Sequence, residues 1–258
     1  MPLIHTEAVV LRRRRMRDSD AIITLFAKEC GKIAVSAKSV MKTTSRSAGV
    51  TQSFNRLHAI LYAKNRDQEI WTLTQVSLVE SYNTLQTDLN KMAFASCLAE
   101  WVDFLSHDFE SNLAVWDLVL QAFARWNQNA ASKEDLIFYQ WRLLRYAGLH
   151  PNLSGAVEGK THIYNAAEGR LTASDSKIEN GVVMHAGSIM ALNNLASSKE
   201  PPSLRLSQQQ QVEIQRLIHS HLEFHIGRRS RSSLFLDRLL REGAEKPQPA
   251  PSMEKEAL

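Results

Sequence analysis

Three short stretches of the sequence carry residues whose types and spacing could do chemistry. His221 and His225 lie four residues apart, a spacing that places two imidazoles on one face of a helix, as in metal-binding pairs. Residues 155–161 combine two glycines with a lysine and a threonine, similar to a phosphate-binding loop. Residues 12–17 contain five arginines, which could neutralise a polyanion.

The metal pair and the phosphate loop both lack what their chemistry needs. A phosphate loop has four residues between its glycines and follows a buried strand, whereas Gly155 and Gly159 enclose Ala-Val-Glu and follow a His-Pro-Asn segment. Leu222 stands where a hydrolase helix would carry a carboxylate after His221, so we interpret His221 and His225 as a partly exposed helix surface. No nucleophile with an evident base is found, and we expect neither catalysis nor a metal.

Positive charge is concentrated at the start of the chain. Residues 1–81 hold 13 Lys and Arg against 7 Asp and Glu, a net charge of +6. The whole chain of 258 residues has 31 against 27, which leaves 18 against 20, or −2, for the rest. A local excess of this kind favours binding to a polyanion, although most charge runs are only solvated loops.

The same region has the pattern of a small β domain. Five segments, 7–12, 21–26, 31–38, 53–62 and 69–76, alternate apolar and polar residues between turn residues, which is typical of half-buried strands. Five short antiparallel strands predict an OB-fold β-barrel, whose first and last loops grip oligonucleotides or oligosaccharides together with the face of strands two and three. The predicted DNA-binding residues are Arg12, Arg13, Arg14, Arg15, Arg17, Lys32, Lys38, Lys42, Arg46, Lys64 and Arg66.

After Ser81 the apolar residues recur at helical spacing, so the fold class is α+β with an all-α C-terminal domain over residues 82–242. Helices are predicted at 88–107, 110–127, 133–147, 185–196, 207–226 and 232–241, and Ser207 with Gln210 has the spacing of a capping box at the start of the fifth. Residues 150–181 lack a sustained period and form a cysteine-free, irregular insert, in which short strands are expected at 161–164 and 170–172. The proline-rich segment 243–258 is expected to be a disordered tail.

Other classes are disfavoured by composition. Neither a signal-peptide core nor an apolar run long enough to span a membrane is visible, so we expect a cytoplasmic protein without a membrane partner. Cys30 and Cys97 cannot build a disulfide framework or a metal site. A second arginine group, at 228–231 with Arg238 and Arg241, either binds phosphates or stabilises a helix end, and the sequence leaves both interpretations open.

Several of these segments resemble one family in order along nearly the whole chain. Residues 6–11, 18–20 and 24–26 are similar to the N-terminal domain of the RecO recombination and repair mediators, as are 31–33, 37–38, 45–46, 48–49 and 71–81. The C-terminal segments 222–227, 231–232 and 235–236 resemble the same family.

The resemblance implies a DNA repair and recombination mediator without enzymatic turnover. Such proteins bind single- and double-stranded DNA and anneal complementary strands, and with RecR they help RecA to displace single-strand-binding protein. Their helical domain docks the acidic tail of single-strand-binding protein. For that tail we expect a basic residue beside an apolar groove, with Arg125, Arg142 and Arg145 as candidates.

One departure from the family pattern concerns zinc. Many members carry two Cys-x-x-Cys pairs after the third helix, whereas residues 156–176 contain no cysteine here. We therefore predict no zinc and an insert held by packing and hydrogen bonds. Two alternatives remain, namely a protein–protein adaptor acting through its helical domain, and a general OB-fold protein that binds single strands without annealing them.

Overall fold

A computed structural model describes residues 3–16, 18–42, 44–65, 68–157, 159–173, 181–201 and 205–245. The first part contains five strands in a closed barrel of order β1-β2-β3-β5-β4, which confirms the predicted five-stranded OB-fold. The strands are β1 (Ile4–Arg15), β2 (Ala21–Ala27), β3 (Gly31–Ala37), β4 (Arg56–Tyr62) and β5 (Ile70–Glu80), and the short helix α1 (Ser47–Val50) lies between β3 and β4.

The expectation that all strands are antiparallel was wrong for one pair. β3 and β5 run parallel, with Val35 beside Trp71, while the other four pairings are antiparallel. Closure explains the exception. Strand directions cannot alternate around a ring with an odd number of members, so at least one neighbouring pair in a closed five-stranded barrel must be parallel.

The barrel strands serve two hydrophobic cores. Inward-facing side chains such as Val10, Ile23 and Val35 fill the barrel. Val9 and Phe26 are paired neighbours that point outward, and they are buried in the core of the helical domain. Because successive strand residues face opposite sides, one strand can stabilise both domains.

The helical domain follows directly. It contains α2 (Asn83–Thr87), α3 (Leu89–Leu105), α4 (Leu113–Gln128), α5 (Lys133–Tyr146), α6 (Ala186–Ser197), α7 (Gln208–Ile226) and α8 (Arg231–Glu245). Ser207 and Gln210 form the capping box expected from their spacing, and Gly227 ends α7 in the left-handed conformation with φ of 69°. α8 ends within the segment predicted as a tail, and the remaining tail residues, 246–258, lie outside the described part. In the described part of the chain no helix has the length and apolar character that a membrane crossing requires.

The insert is more regular than the sequence indicated. It holds a three-stranded antiparallel sheet of β6 (Thr161–Asn165), β7 (Arg170–Ala173) and β8 (Val182–His185), in the order β7-β6-β8. The first two strands lie where short strands were predicted. β8 was not predicted, because its four residues directly precede α6 and are too few to show a period.

The connection between α3 and α4 packs against the barrel. Trp71 and Phe109 stack with ring centroids 5.3 Å apart, and the backbone N–H of Phe109 donates to the carbonyl of Lys32. Gly31 has φ of 66°, and a Cβ at this position would lie 1.9 Å from the carbonyl oxygen of Glu110. Only glycine therefore permits this close approach of the two domains.

Candidate nucleic-acid interface

The arginine run forms the end of the first strand and not a loop. β1 continues to Arg15, past the predicted end at Arg12, and pairs with β2 down to Ala21. Arginine is compatible with a strand when one face meets solvent. Position within the strand therefore decides which way each arginine points.

Arg12 and Arg14 point outward, whereas Arg13 points toward the loop that closes this end of the barrel. The Arg13 guanidinium donates to the carbonyl oxygen of Ala48, at 2.8 Å, and to Oγ1 of Thr51, at 3.2 Å. Burial lowers the pKa of Arg13. Arg15 donates to the carbonyl of Asp18 at 2.6 Å and is exposed. The four adjacent arginines thus have different roles.

A row of paired residues crosses the outside of the barrel. Arg14 pairs with Ile22, Ile22 with Ser36, Ser36 with Thr72, and Thr72 with Tyr62. Neighbouring strands lie about 4.8 Å apart, so the row is about 19 Å long when followed along the curved surface of the barrel. A second row runs beside it through Arg12, Thr24, Ala34 and Ile70. These two rows form what we call the outer face.

The far edge of the outer face carries apolar side chains in contact with solvent. Tyr62 is 42% exposed and Ile70 is 38% exposed. An exposed aromatic ring opposite a line of cations is the combination on which single-stranded nucleic acids stack. Sequence reasoning did not select either residue, because only the strand register shows that they lie opposite the arginines.

Further cations flank the outer face. Lys38, Lys42 and Arg46 are exposed on the segment after β3, and Lys64 is exposed after β4. Within the described part of the chain, the side chains of these four residues and of Arg14 make no ion pair or hydrogen bond. Arg17 and Arg66, also predicted to bind DNA, lie outside the described residues.

Lys32 is already engaged by the helical domain. Its ammonium group lies 3.2 Å from a carboxylate oxygen of Asp108 and 3.8 Å from one of Asp103, and it donates to the carbonyl of Asp103 at 2.8 Å. Arg12 also contacts Asp103, at 3.5 Å, but its side chain remains 65% exposed. Lys32 therefore joins the domains, while Arg12 stays accessible.

The three arginines proposed for the helical domain do not form one group. Arg125 pairs with the buried carboxylate of Asp135 at 3.1 Å. Arg142 donates to the carbonyl of Ser198 and lies 4.6 Å from the ring centroid of Phe138. Arg142 and Arg145 both line a cavity of about 300 Å³, whose other lining residues are Trp141, Tyr146, His150 and Ala196. The cavity thus combines two cations with aromatic walls.

The interpretation of His221 as partly exposed was wrong. Its ring is 2% exposed, and it lies 2.6 Å from both the hydroxyl of Tyr164 and the carbonyl of Leu149. A carbonyl can only accept, so Nε2 donates to Leu149 and Nδ1 accepts from Tyr164. Burial is the main reason why the pKa of His221 is lowered to about 4. The residue therefore joins α7 to the insert.

The described residues offer no alternative metal or phosphate site. Among them, no group of three or more His, Cys, Asp or Glu side chains could hold a metal ion. Residues 155–161, of which Glu158 is outside the described part, lead into β6 and not into a helix. They therefore lack the geometry of a phosphate loop.

A closed OB barrel joined to a helical domain, with unpaired cations on the outside of the barrel, defines a two-domain protein of the kind that handles nucleic acids. Comparison with known families is more specific. Residues 1–82 match the description "Recombination protein O N terminal", and residues 86–234 match "Recombination protein O C terminal". The chain belongs to the recombination protein O (RecO) family.

Two curated relatives are similar over nearly the full length, and a third is similar over part of it. A protein of Symbiobacterium thermophilum named "DNA repair protein RecO" is 27% identical over 252 residues, which is 93% of this chain and 98% of that protein. A protein of the same name from Bacillus velezensis is 27% identical, over 92% of this chain and 95% of its own length. One from Heliobacterium modesticaldum is 35% identical, over 60% of this chain and 55% of its own length.

Proposed function

We propose that this chain is a non-enzymatic mediator of DNA repair and homologous recombination that acts in the cytoplasm. It binds single- and double-stranded DNA through the outer face of its barrel. The observation that carries this proposal is the outer face itself, where Arg12 and Arg14 stand at one edge and Tyr62 at the other. Family membership supports the role in repair.

Affinity arises from charge and is independent of sequence. Phosphates of the bound strand displace counterions as they meet exposed guanidinium and ammonium groups, so binding weakens as salt rises. We assign these contacts to Arg12, Arg14, Arg15, Lys38, Lys42, Arg46 and Lys64, together with the predicted Arg17 and Arg66. Bases stack on Tyr62 or pack on Ile70.

Arg13 and Lys32 support binding indirectly. Arg13 holds the segment around α1 through Ala48 and Thr51, and this segment follows the loop that carries Lys42 and Arg46. Lys32 offsets part of the negative charge of Asp103 and Asp108 at the joint between the domains. Without it, two carboxylates beside the outer face would repel phosphates.

Annealing follows from the same surface. Two complementary strands repel each other, and cations beside both strands reduce that repulsion. With RecR, the protein then helps RecA to load onto DNA coated with single-strand-binding protein. The reaction involves no covalent step, so no turnover of nucleotide or DNA is expected.

The cavity beside Arg142 and Arg145 is the proposed site for the acidic tail of single-strand-binding protein. Its arginines match carboxylates, and Trp141 and His150, whose rings lie 4.7 Å apart, form a wall for apolar side chains. Arg125 is less suitable because Asp135 already neutralises it.

The outer face is tested by reversing two of its cations. The variant Arg12→Glu/Arg14→Glu should lose at least about tenfold in affinity for a labelled oligonucleotide, and the slope of log affinity against log salt should flatten, because each lost phosphate contact removes about 0.7 from it for single strands. Arg205→Glu/Arg216→Glu makes the same charge change at exposed residues of the helical domain. Equal slopes for both double variants would contradict the assignment.

Two alternatives give different results in the same assays. An adaptor acting only through the Arg142 cavity would bind acidic peptide but retain no DNA at low salt. A general single-strand binder would retain DNA but would not accelerate strand annealing. The mediator is expected to bind the acidic peptide, to retain DNA at low salt and to accelerate strand annealing.

A further inference from the structure

A second group of arginines lies close to the outer face. The guanidinium of Arg228, in the turn between α7 and α8, lies 4.0 Å from the ring centroid of Phe104 on α3. The preceding residue, Asp103, contacts Arg12 of the barrel. Side-chain lengths and a Cα spacing of 3.8 Å between residues 103 and 104 place the guanidinium groups of Arg12 and Arg228 within roughly 20 Å of each other.

The cations continue along one exposed side of α8. Arg231, Leu234, Phe235 and Arg238 are three or four residues apart and therefore share a helix face, and all four are exposed. Arg241 lies three residues after Arg238 on the same side. Leu236, two residues after Leu234, is buried on the opposite side against the core. Phe235, 47% exposed, thus stands between two arginines on the outside of the protein.

Most of these arginines are not neutralised. Within the described chain, Arg228, Arg231, Arg238 and Arg241 form no ion pair, whereas Arg229 pairs with Glu223 at 2.9 Å. The carboxylate of Glu100 is occupied by the hydroxyl of Ser230 and the backbone N–H groups of Arg231 and Ser232. Residues 228–242 hold five arginines but only two acidic residues, Asp237 and Glu242, so an excess of positive charge remains after Arg229 pairs with Glu223.

We propose that a single strand of nucleic acid bound to the outer face continues past Phe104 and onto this side of α8. Arg228, Arg231 and Arg238 contact its phosphates, and Phe235 stacks on a base. The inference rests on the proposed binding to the barrel and extends it to a track across both domains. The track assigns a ligand to the arginine group at 228–231, which the sequence left open.

An anionic strand fits this surface better than an acidic peptide does. The arginines continue the line of unpaired cations on the barrel, and alternation of an aromatic ring with guanidinium groups matches bases and phosphates along a strand. The surface is convex along a helix. The acidic peptide instead has a concave cavity available beside Arg142.

The test compares lengths of DNA. Oligothymidylates of about 6, 12 and 24 nucleotides bracket the site sizes of about 4 to 16 nucleotides known for single OB barrels. Full-length Arg228→Glu/Arg238→Glu should bind the shortest oligonucleotide like the unmodified chain and the longest at least about tenfold more weakly. Its salt slope for the longest should fall by at least about 1.4, which is two phosphate contacts. The matched control is Arg205→Glu/Arg216→Glu.

Three outcomes separate the track from the barrel site. Unchanged binding of the longest oligonucleotide would overturn the track while leaving the proposed function intact. Failure of Arg12→Glu/Arg14→Glu to affect any length would overturn the proposed function itself. If Arg228→Glu/Arg238→Glu no longer bound a fluorescent Asp- and Leu-rich peptide while its DNA binding was unchanged, α8 would be a protein-docking surface and the track would also be overturned.

Phe235→Ala, which changes no charge, should weaken binding to the longest oligonucleotide about fivefold without changing the salt slope.

Discussion

The outer face of the barrel and the contact between the insert and α7 use polar side chains in opposite ways. On and beside the outer face, the side chains of Arg14, Lys38, Lys42 and Lys64 have no partner within the described chain. At the insert, Glu213 and His221 are buried and their hydrogen bonds are satisfied. Unpaired exposed groups remain free for a ligand, whereas paired buried groups stabilise the fold. Substitutions in the two regions should therefore affect different measurements.

The largest loss of stability is expected at Glu213. Its carboxylate accepts from Oγ of Ser188 at 2.6 Å, from the backbone and ring of His185 at 2.9 and 2.6 Å, and from Gln209 at 2.9 Å. Burial alone would raise the pKa of Glu213, but these hydrogen bonds hold it below its ordinary value. Glu213→Ala leaves several donors unpaired and should lower the free energy of unfolding by about 3 kcal/mol in urea denaturation.

Glu168→Ala is the control for that measurement. Glu168 lies in the insert, between β6 and β7, and pairs with Arg170 at 2.7 Å, but both side chains are exposed. Its loss should change stability by less than about 0.5 kcal/mol. If the two substitutions had equal effects, the hydrogen-bonded cluster would not be what holds the insert. Neither should change the salt dependence of DNA binding.

The insert also shows how far the sequence could predict this fold. Alternation identified the barrel strands because each has one face in a core, and spacing alone identified the capping box of α7. Contacts between distant segments left no such signal. Tyr164 and His221 are 57 residues apart, and nothing at either position indicates their hydrogen bond. Likewise Arg13 and Arg14 look alike in the sequence, and only the strand pairing separates them.

Acid should destabilise the insert contact and not the outer face. His221 has a folded-state pKa of about 4 against an unfolded value near 6.5, so the native state binds fewer protons between these values. Stability is fully present above pH 6.5 and falls as pH decreases toward 4, by about 2 kcal/mol between pH 7 and pH 5. The check is the midpoint of urea unfolding as a function of pH.

The variant His221→Asn tests whether His221 causes this pH dependence of stability. It cannot titrate, so the loss of stability between pH 7 and pH 5 should shrink, although its stability at pH 7 is lower. The pKa values of His150 and His219 are also lowered by burial, so some acid sensitivity should persist in the variant. A pH dependence that His221→Asn leaves unchanged would show that groups other than His221 are responsible.

Arg13 should behave as an intermediate case. Arg13→Ala removes two hydrogen bonds, to Ala48 and Thr51, and should lower the free energy of unfolding by about 1 kcal/mol. Affinity for DNA should fall modestly, because the loop that carries Lys42 and Arg46 loses its support. Arg13→Lys keeps the charge but not the two-donor geometry. If it restored DNA binding completely, Arg13 would be a direct phosphate contact and not a support.

The smallest effect on stability and the clearest effect on binding should occur one residue further along the strand. Arg14 is exposed and makes no ion pair or hydrogen bond within the described chain, so Arg14→Ala should change the free energy of unfolding by less than about 0.5 kcal/mol. It should nevertheless reduce the salt slope of single-strand binding by about 0.7, the value of one phosphate contact. Fluorescence anisotropy titrations of Arg13→Ala and Arg14→Ala at several salt concentrations make the comparison directly. The two variants should then differ in their salt slopes, because strand alternation directs Arg13 to the protein and Arg14 to solvent. A larger change of slope for Arg13→Ala would reverse the two assignments.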